Sequence, residues 1–295
     1  MPESMTVSLG GIAIALVPDK SEGRFDILKK TGDFATSQKA DIILNIHCGT
    51  PIPEISQEQL LFDTGRSWYL TEDEYQQRIV RVRSPFPDPY ILARFGKDFR
   101  SGDIYVSNSP DIPNSFIFPF RFPIAELFMM HLLGTRLGLL FHATGIIYEG
   151  RGYLFSGHGG VGKTTTARLW QQQPGASVVN DDKVIVRSEA GQYRMYGTPW
   201  HGEGGMALPE SAPLSRVFIL RQADHNYVRE LDKGQIAAML LARCFVPLWD
   251  DQIIDFSLKF LEGLIETIPC CELGVVPDQS AVDFVLEMEN CLVYK

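Results

Sequence analysis

Eight consecutive residues, Gly157-His158-Gly159-Gly160-Val161-Gly162-Lys163-Thr164, match the spacing G-x-x-x-x-G-K-[ST] at every fixed position. Glycines let a backbone curl until successive N–H groups point at phosphate oxygens. A helix that starts where such a loop ends adds the positive end of its dipole. Lys163 then reaches the outer phosphates as a point charge, and Thr164 offers its hydroxyl to Mg²⁺. Thr165 completes the nucleotide-binding set. The competing reading is a plain glycine-rich turn, and the flanks weigh against it. Tyr153-Leu154-Phe155 reads as a strand entering the loop, and residues 164–172 as a helix leaving it, closed by Pro174-Gly175.

Three further groups could join this loop. Ser177-Val178-Val179 reads as a strand that delivers Asn180-Asp181-Asp182, and 184–187 as the next strand. Carboxylates at the carboxyl end of a strand in an open α/β sheet lie where ligands bind. One would hold a metal, directly or through water, and the other would accept the proton of an attacking hydroxyl. A polar hairpin turn is the alternative. Only 17 residues (164–180) separate Lys163 from the doublet, about one helix and one strand, which favours function. His142 opens a strand, 142–148, that Glu149-Gly150-Arg151 joins to a second, 152–156. With Tyr148 opposite Gly152, facing positions sum to 300, and His142 faces His158 inside the loop. There it could donate to phosphates or stabilise transferring charge, although a one-residue slip turns the side chain away. The third group, Gly197-Thr198-Pro199-Trp200-His201-Gly202-Glu203-Gly204-Gly205, is either a loop over nucleotide or acceptor, or an ordinary surface loop.

These groups need a frame to hold them. Residues 1–120 read as β-rich, with strands at 41–47, 67–70, 78–83 and 103–107 between prolines 51, 53, 85, 87, 89, 110 and 113. From 121 to 295 strand and helix signals alternate, as in an α/β domain. The first helix starts at Pro123 and stops near Gly134 or Gly138, 250–267 forms a buried helix, 272–276 a strand, and Asp278 caps a last helix through Glu289.

Composition removes several classes. Hydrophobic residues make up 45% of the 295, enough for a core and too many for a disordered chain. Lys plus Arg is 27 and Asp plus Glu 36, a net charge of −9 with no basic run, so nucleic acid is a poor partner. Five cysteines (Cys48, Cys244, Cys270, Cys271 and Cys291) include no C-x-x-C pair, which argues against a disulfide framework or a cysteine zinc site. The apolar stretch 9–17 has Glu3 and no Lys or Arg before it, so it reads as an N-terminal strand and not a signal peptide. Residues 122–147 are broken by Glu126, Arg136 and two histidines, and no uncharged run reaches the roughly 18 residues of a membrane span. A soluble, cytoplasmic chain with no membrane partner is expected.

Across His142 to Arg187 the sequence resembles the kinase domain of the HPr kinase/phosphorylase family, whose nucleotide core is shared with phosphoenolpyruvate carboxykinases. The order is a histidine strand (HATGIIY), the loop (GHGGVGKT) and then NDDK. It is also similar to HPr-kinase-like proteins found with peptide-modification genes, such as lasso-peptide kinases. The resemblance implies an α/β P-loop kinase domain of that type with a mixed sheet, behind a β-rich N-terminal domain. It implies ATP and Mg²⁺ as cofactors and phosphoryl transfer to a serine hydroxyl of a protein or peptide, or to a small molecule. By resemblance Asp181 is the general base, Asp182 and Thr164 hold the metal, and His142 and Lys163 complete the catalytic set. The Arg-Gly-hydrophobic-Gly signature that follows in HPr kinases is absent, and 197–205 stands in its region. Residues 1–120 would serve acceptor recognition or assembly, including a homo-oligomer. A shikimate-type small-molecule kinase and a non-catalytic nucleotide-binding regulator are the alternatives. An antiparallel partner for the strand entering the loop favours the HPr-kinase arrangement over the shikimate type.

Overall fold

The computed structural model describes residues 4–19, 32–83, 91–106, 120 and 122–293. Pro85, Pro87, Pro89, Pro110, Pro113 and Ser107 lie outside them. The chain divides into two compact units, Met1–Thr135 with Pro247–Asp251, and Arg136–Val246 with Gln252–Lys295. The division thus falls after Thr135, where sequence reasoning puts a border at 120/121.

The first unit is built on one sheet. Its strands are β1 (Met5–Leu9), β2 (Ile12–Pro18), β3 (Ile42–Cys48), β4 (Glu58–Asp63), β5 (Trp68–Asp73), β6 (Arg78–Val82), β7 (Ile91–Phe95) and β8 (Ser101–Val106). They lie in the order β1-β2-β3-β8-β7-β6-β5-β4. The apolar stretch expected as one strand is broken at Gly10-Gly11. Both carry positive φ (59° and 73°), the two-residue turn that matches strand twist, and β1 folds back on β2. Helix α1 (Ile124–Gly134) belongs to this unit and does not open the second. The physical reason is aromatic packing: Phe128 lies 5.1 Å from Phe95, and His131 stacks at 4.7 Å on Phe99. Burial pushes the His131 pKa down to about 4, and both ring nitrogens are bonded, Nδ1 to the Leu127 carbonyl and Nε2 to the Trp249 indole N–H. It is a satisfied core histidine.

The second unit carries β9 (Gly138–Tyr148), β10 (Arg151–Ser156), α2 (Lys163–Gln171), β11 (Ala176–Asn180), β12 (Lys183–Glu189), β13 (Gln192–Tyr196) and β14 (Ser211–Gln222). Then come β15 (Tyr227–Arg229), α3 (Lys233–Leu241), α4 (Asp251–Thr267), β16 (Cys270–Val275) and α5 (Ser280–Val293). The sheet is mixed: β10 runs antiparallel to β9 and parallel to β14, and β14 runs parallel to β16. Two long strands bind the unit together. β9 gives residues 138–142 to β12 and 143–148 to β10. β14 gives 211–213 to β13 and the rest to β10 and β16. The pairings close a circuit, β9–β10–β14–β13–β12 and back to β9.

Alternation along the strands creates two cores. Leu154, Val217 and Ile219 face Ile236 and Leu240 of α3 and Phe260, Leu261 and Leu264 of α4. Tyr153, Phe155 and Phe218 face Ala167 and Trp170 of α2 and Val282 and Val285 of α5. No helix among the described residues is long and apolar enough to cross a membrane.

Candidate active site

Strand β10 ends at Ser156, residues 157–162 turn, and α2 starts at Lys163 with Gly162 as its N-cap. Gly160 and Gly162 hold φ of 77° and 106°, which side-chain-bearing residues rarely adopt. A Cβ at Gly159, Gly160 or Gly162 would meet nothing within 4 Å, so the outer rim of this turn is open to a ligand. Gly157 is different, because its Cβ would lie 2.7 Å from Val161 Cγ1. Lys163 folds back over the turn, and its Nζ donates to the carbonyls of Gly157 (3.0 Å) and His158 (3.2 Å). Burial pushes its pKa below the ordinary lysine value; Asp182 opposes that shift and Arg243 adds to it. Both charges therefore lie within electrostatic reach of the lysine. The Thr144 hydroxyl is 3.4 Å from the carbonyls of both Lys163 and Asp181, and clips the helix start to the acidic doublet.

The two aspartates have different surroundings. Asp181 is 2% exposed. Its Oδ1 accepts the Gly202 amide (2.9 Å) and the Met206 amide (3.4 Å), and its Oδ2 the Gly204 amide (2.7 Å). The segment 197–205 is therefore folded onto Asp181. A Cβ on Gly204 would approach Asp181 Oδ2 to 2.5 Å and Thr164 Cγ2 to 3.1 Å, which places Thr164 beside this carboxylate. Asp182 points elsewhere. Its Oδ1 lies 2.9 Å from His142 Nδ1 and its Oδ2 2.6 Å from Lys183 Nζ. Burial works against its charge, but hydrogen bonds from His142 and Lys183 outweigh it and hold the pKa at about 2.

The His142 position corrects the sequence geometry. The β9–β10 turn has two residues, Glu149 and Gly150, both with positive φ (49° and 74°), so Tyr148 pairs with Arg151. Facing positions sum to 299, the ladder ends at Ala143–Ser156, and His142 pairs with Lys183 of β12 instead of His158. That brings it to Asp182. His158 is exposed, with Nδ1 2.7 Å from the Gly159 carbonyl. His201 and Glu203 are exposed as well.

Sequence reasoning missed the residues that hold this arrangement. Asn180 is fully buried; its Oδ1 accepts the amides of Asp182 and Lys183 (2.7 Å each) and its Nδ2 donates to the Thr198 carbonyl (2.7 Å). An Asn before a turn is the available signal. Arg243 had none, because it reaches the site from the end of α3. Its carbonyl accepts the His142 amide at 2.7 Å.

Asp181→Asn tests the loop anchor. An amide NH₂ facing amide donors leaves at least one buried N–H unpaired, so a loss of about 1–3 kcal/mol is expected in chemical denaturation. Stability equal to that of the unaltered chain would overturn the anchoring role.

In comparisons with known proteins, the family model described as SynChlorMet cassette protein ScmC matches residues 124–260. No curated protein matches. Among solved structures, the Hpr(Ser) kinase/phosphatase from Coxiella burnetii aligns at 13% identity and a TM-score of 0.33, over 53% of this chain and 99% of that one.

Proposed function

We propose that the chain is an ATP-dependent phosphotransferase that moves the terminal phosphoryl group to a hydroxyl. The observation that carries this reading is the meeting of two devices in one unit. An open glycine turn with a buried lysine is tied through the Thr144 hydroxyl to the acidic doublet, whose Asp182 holds the His142 imidazole. The antiparallel hairpin of β9 and β10 supports the HPr-kinase arrangement over a shikimate-type kinase.

ATP would fit the turn, since the space over Gly159, Gly160 and Gly162 is open and the helix start adds positive potential. Gly157 to Thr165 would hold the phosphates. Mg²⁺ would be held by the Thr164 hydroxyl together with the phosphates and would supply charge neutralisation on their oxygens. Both Asp182 oxygens already meet His142 Nδ1 and Lys183 Nζ, so the metal role expected of Asp182 does not fit this geometry.

The base is assigned to His142. Nδ1–H donates to Asp182, so the neutral ring keeps its lone pair on Nε2. Asp181, with its oxygens taken by backbone amides, orders the 197–205 loop. The acceptor oxygen bonds to the γ-phosphorus, the bond from that phosphorus to the β–γ bridging oxygen breaks, and ADP leaves with the electron pair. The acceptor proton goes to His142 Nε2. Lys163, with Arg243 nearby, faces the charge that develops.

Incubation with γ-labelled ATP, Mg²⁺ and acceptor panels of peptides and small hydroxylated molecules tests the reaction. The expected result is label on one acceptor class, lost in His142→Ala. ATP binding with no transfer to any acceptor would make the chain a regulator instead.

A further inference from the structure

A cavity of about 260 Å³ lies between the start of the glycine turn, the end of β14 and the C-terminal half of α3. Ser156, Gly157, Arg221 and Arg243 contribute to its lining, with Ile219 and Met239 among its apolar walls. Ser156 is 0% exposed, and its hydroxyl has no hydrogen-bond partner. It shares a strand face with Leu154, which packs toward α3, so the hydroxyl is turned to the side on which the cavity lies. Buried polar groups are almost always paired, so an unpaired hydroxyl in a cavity wall has its donor and acceptor free for a water or a ligand.

The position of the cavity says which ligand. Lys163 Nζ rests on Gly157 and His158, so this end of the turn is where the outer phosphates belong. The volume is below the roughly 300 Å³ at which drug-sized ligands begin, which suits a compact molecule better than a whole nucleotide. Charge narrows the class. Glu272 is bonded by both Arg221 (3.2 Å) and Arg229 (2.8 Å), which leaves a positive excess, and Arg243 adds a second cation at the lining. His158 is the remaining polar side chain of the lining, and the other walls are apolar. We propose that this cavity is the acceptor pocket, that its occupant is a compact hydroxyl compound carrying an anionic group, and that Ser156 is a specificity-determining residue that hydrogen-bonds it. The proposal rests on the phosphotransferase reading.

Titration calorimetry on the full chain, saturated with a non-hydrolysable ATP analogue and Mg²⁺, tests it. Glycerate and malate probe a carboxylate, inorganic phosphate probes a phosphate group, and glycerol is the neutral control. At least one anion should bind alongside the nucleotide analogue while glycerol does not, and Ser156→Ala should weaken that binding at least tenfold. The same variant should keep its affinity for the analogue and melt no lower than the unaltered chain, since it loses an unpartnered group. Anions that bind no better than glycerol, that compete with the analogue, or that bind Ser156→Ala equally well would overturn the pocket. So would a lower melting temperature, which would make the hydroxyl structural. Failure of the analogue to bind at all would sink the phosphotransferase reading, and the anion titrations on the free chain would then report on the cavity alone.

Discussion

Lys163→Ala is expected to lower kcat by about 10³-fold, the size of effect seen when a preorganised charge aimed at a transition state is removed. Lys163 is 7% exposed, its ammonium is bonded to carbonyls of its own turn, and burial already disfavours its charge. A cation kept under such conditions has little to offer the fold. An incoming polyphosphate replaces two neutral carbonyl partners with charged ones, which roughly doubles the strength of each hydrogen bond. Nucleotide affinity should therefore fall by about tenfold, or about 1.4 kcal/mol. The melting temperature should stay within a few degrees, because the burial cost vanishes with the charge. Initial rates and nucleotide titration on the same preparation check both parts. Near-normal turnover in this variant would remove the phosphate site from this turn.

Asp182→Asn should reduce kcat by about 10³–10⁴-fold, the scale expected when a carboxylate that fixes an imidazole tautomer becomes an amide. The charged contact to His142 Nδ1 is lost, and only the Asp182 carbonyl, 3.2 Å away, is left to fix the tautomer that keeps the lone pair on Nε2. Stability should change with a definite sign. The Asp182 pKa lies at about 2 in the folded chain against an ordinary 3.8, so the unfolded state binds its proton first as the solution is acidified. Its contribution, about 2 kcal/mol, is complete above pH ~4 and disappears as the pH falls through ~2. Without nucleotide, the stability gap between the two chains should be largest near neutrality and close in acid. Denaturation curves at several pH values measure it. A gap independent of pH would show that Asp182 is not held by His142 and Lys183.

Much of the local structure was legible in the residues. The G-x-x-x-x-G-K-T spacing located the turn, since only glycine adopts the φ found at Gly160 and Gly162 without strain. Strand β12 and helices α1 and α4 followed from periodicity and from Pro123. The hairpin was visible and its register was not. Gly150 signals a turn, but nothing in the sequence chooses two loop residues over three, and that single residue sends His142 to Asp182 instead of His158. The assignment of α1 also escaped, because an apolar helix fits either neighbour until its aromatic contacts are known.

By itself the sequence determined the chemistry available here: which backbone could bend, which side chains carried charge, and which segments had to be buried. Tertiary structure alone decided how that chemistry is divided. It gave Asp181 to the amides of 202–206 and Asp182 to His142, brought Arg243 in from α3, and left the Ser156 hydroxyl facing a cavity without a partner. The reason is physical. Adjacent residues at a strand end point in opposite directions, so two identical side chains meet environments set by segments 20 to 60 residues away, and no local pattern encodes those partners.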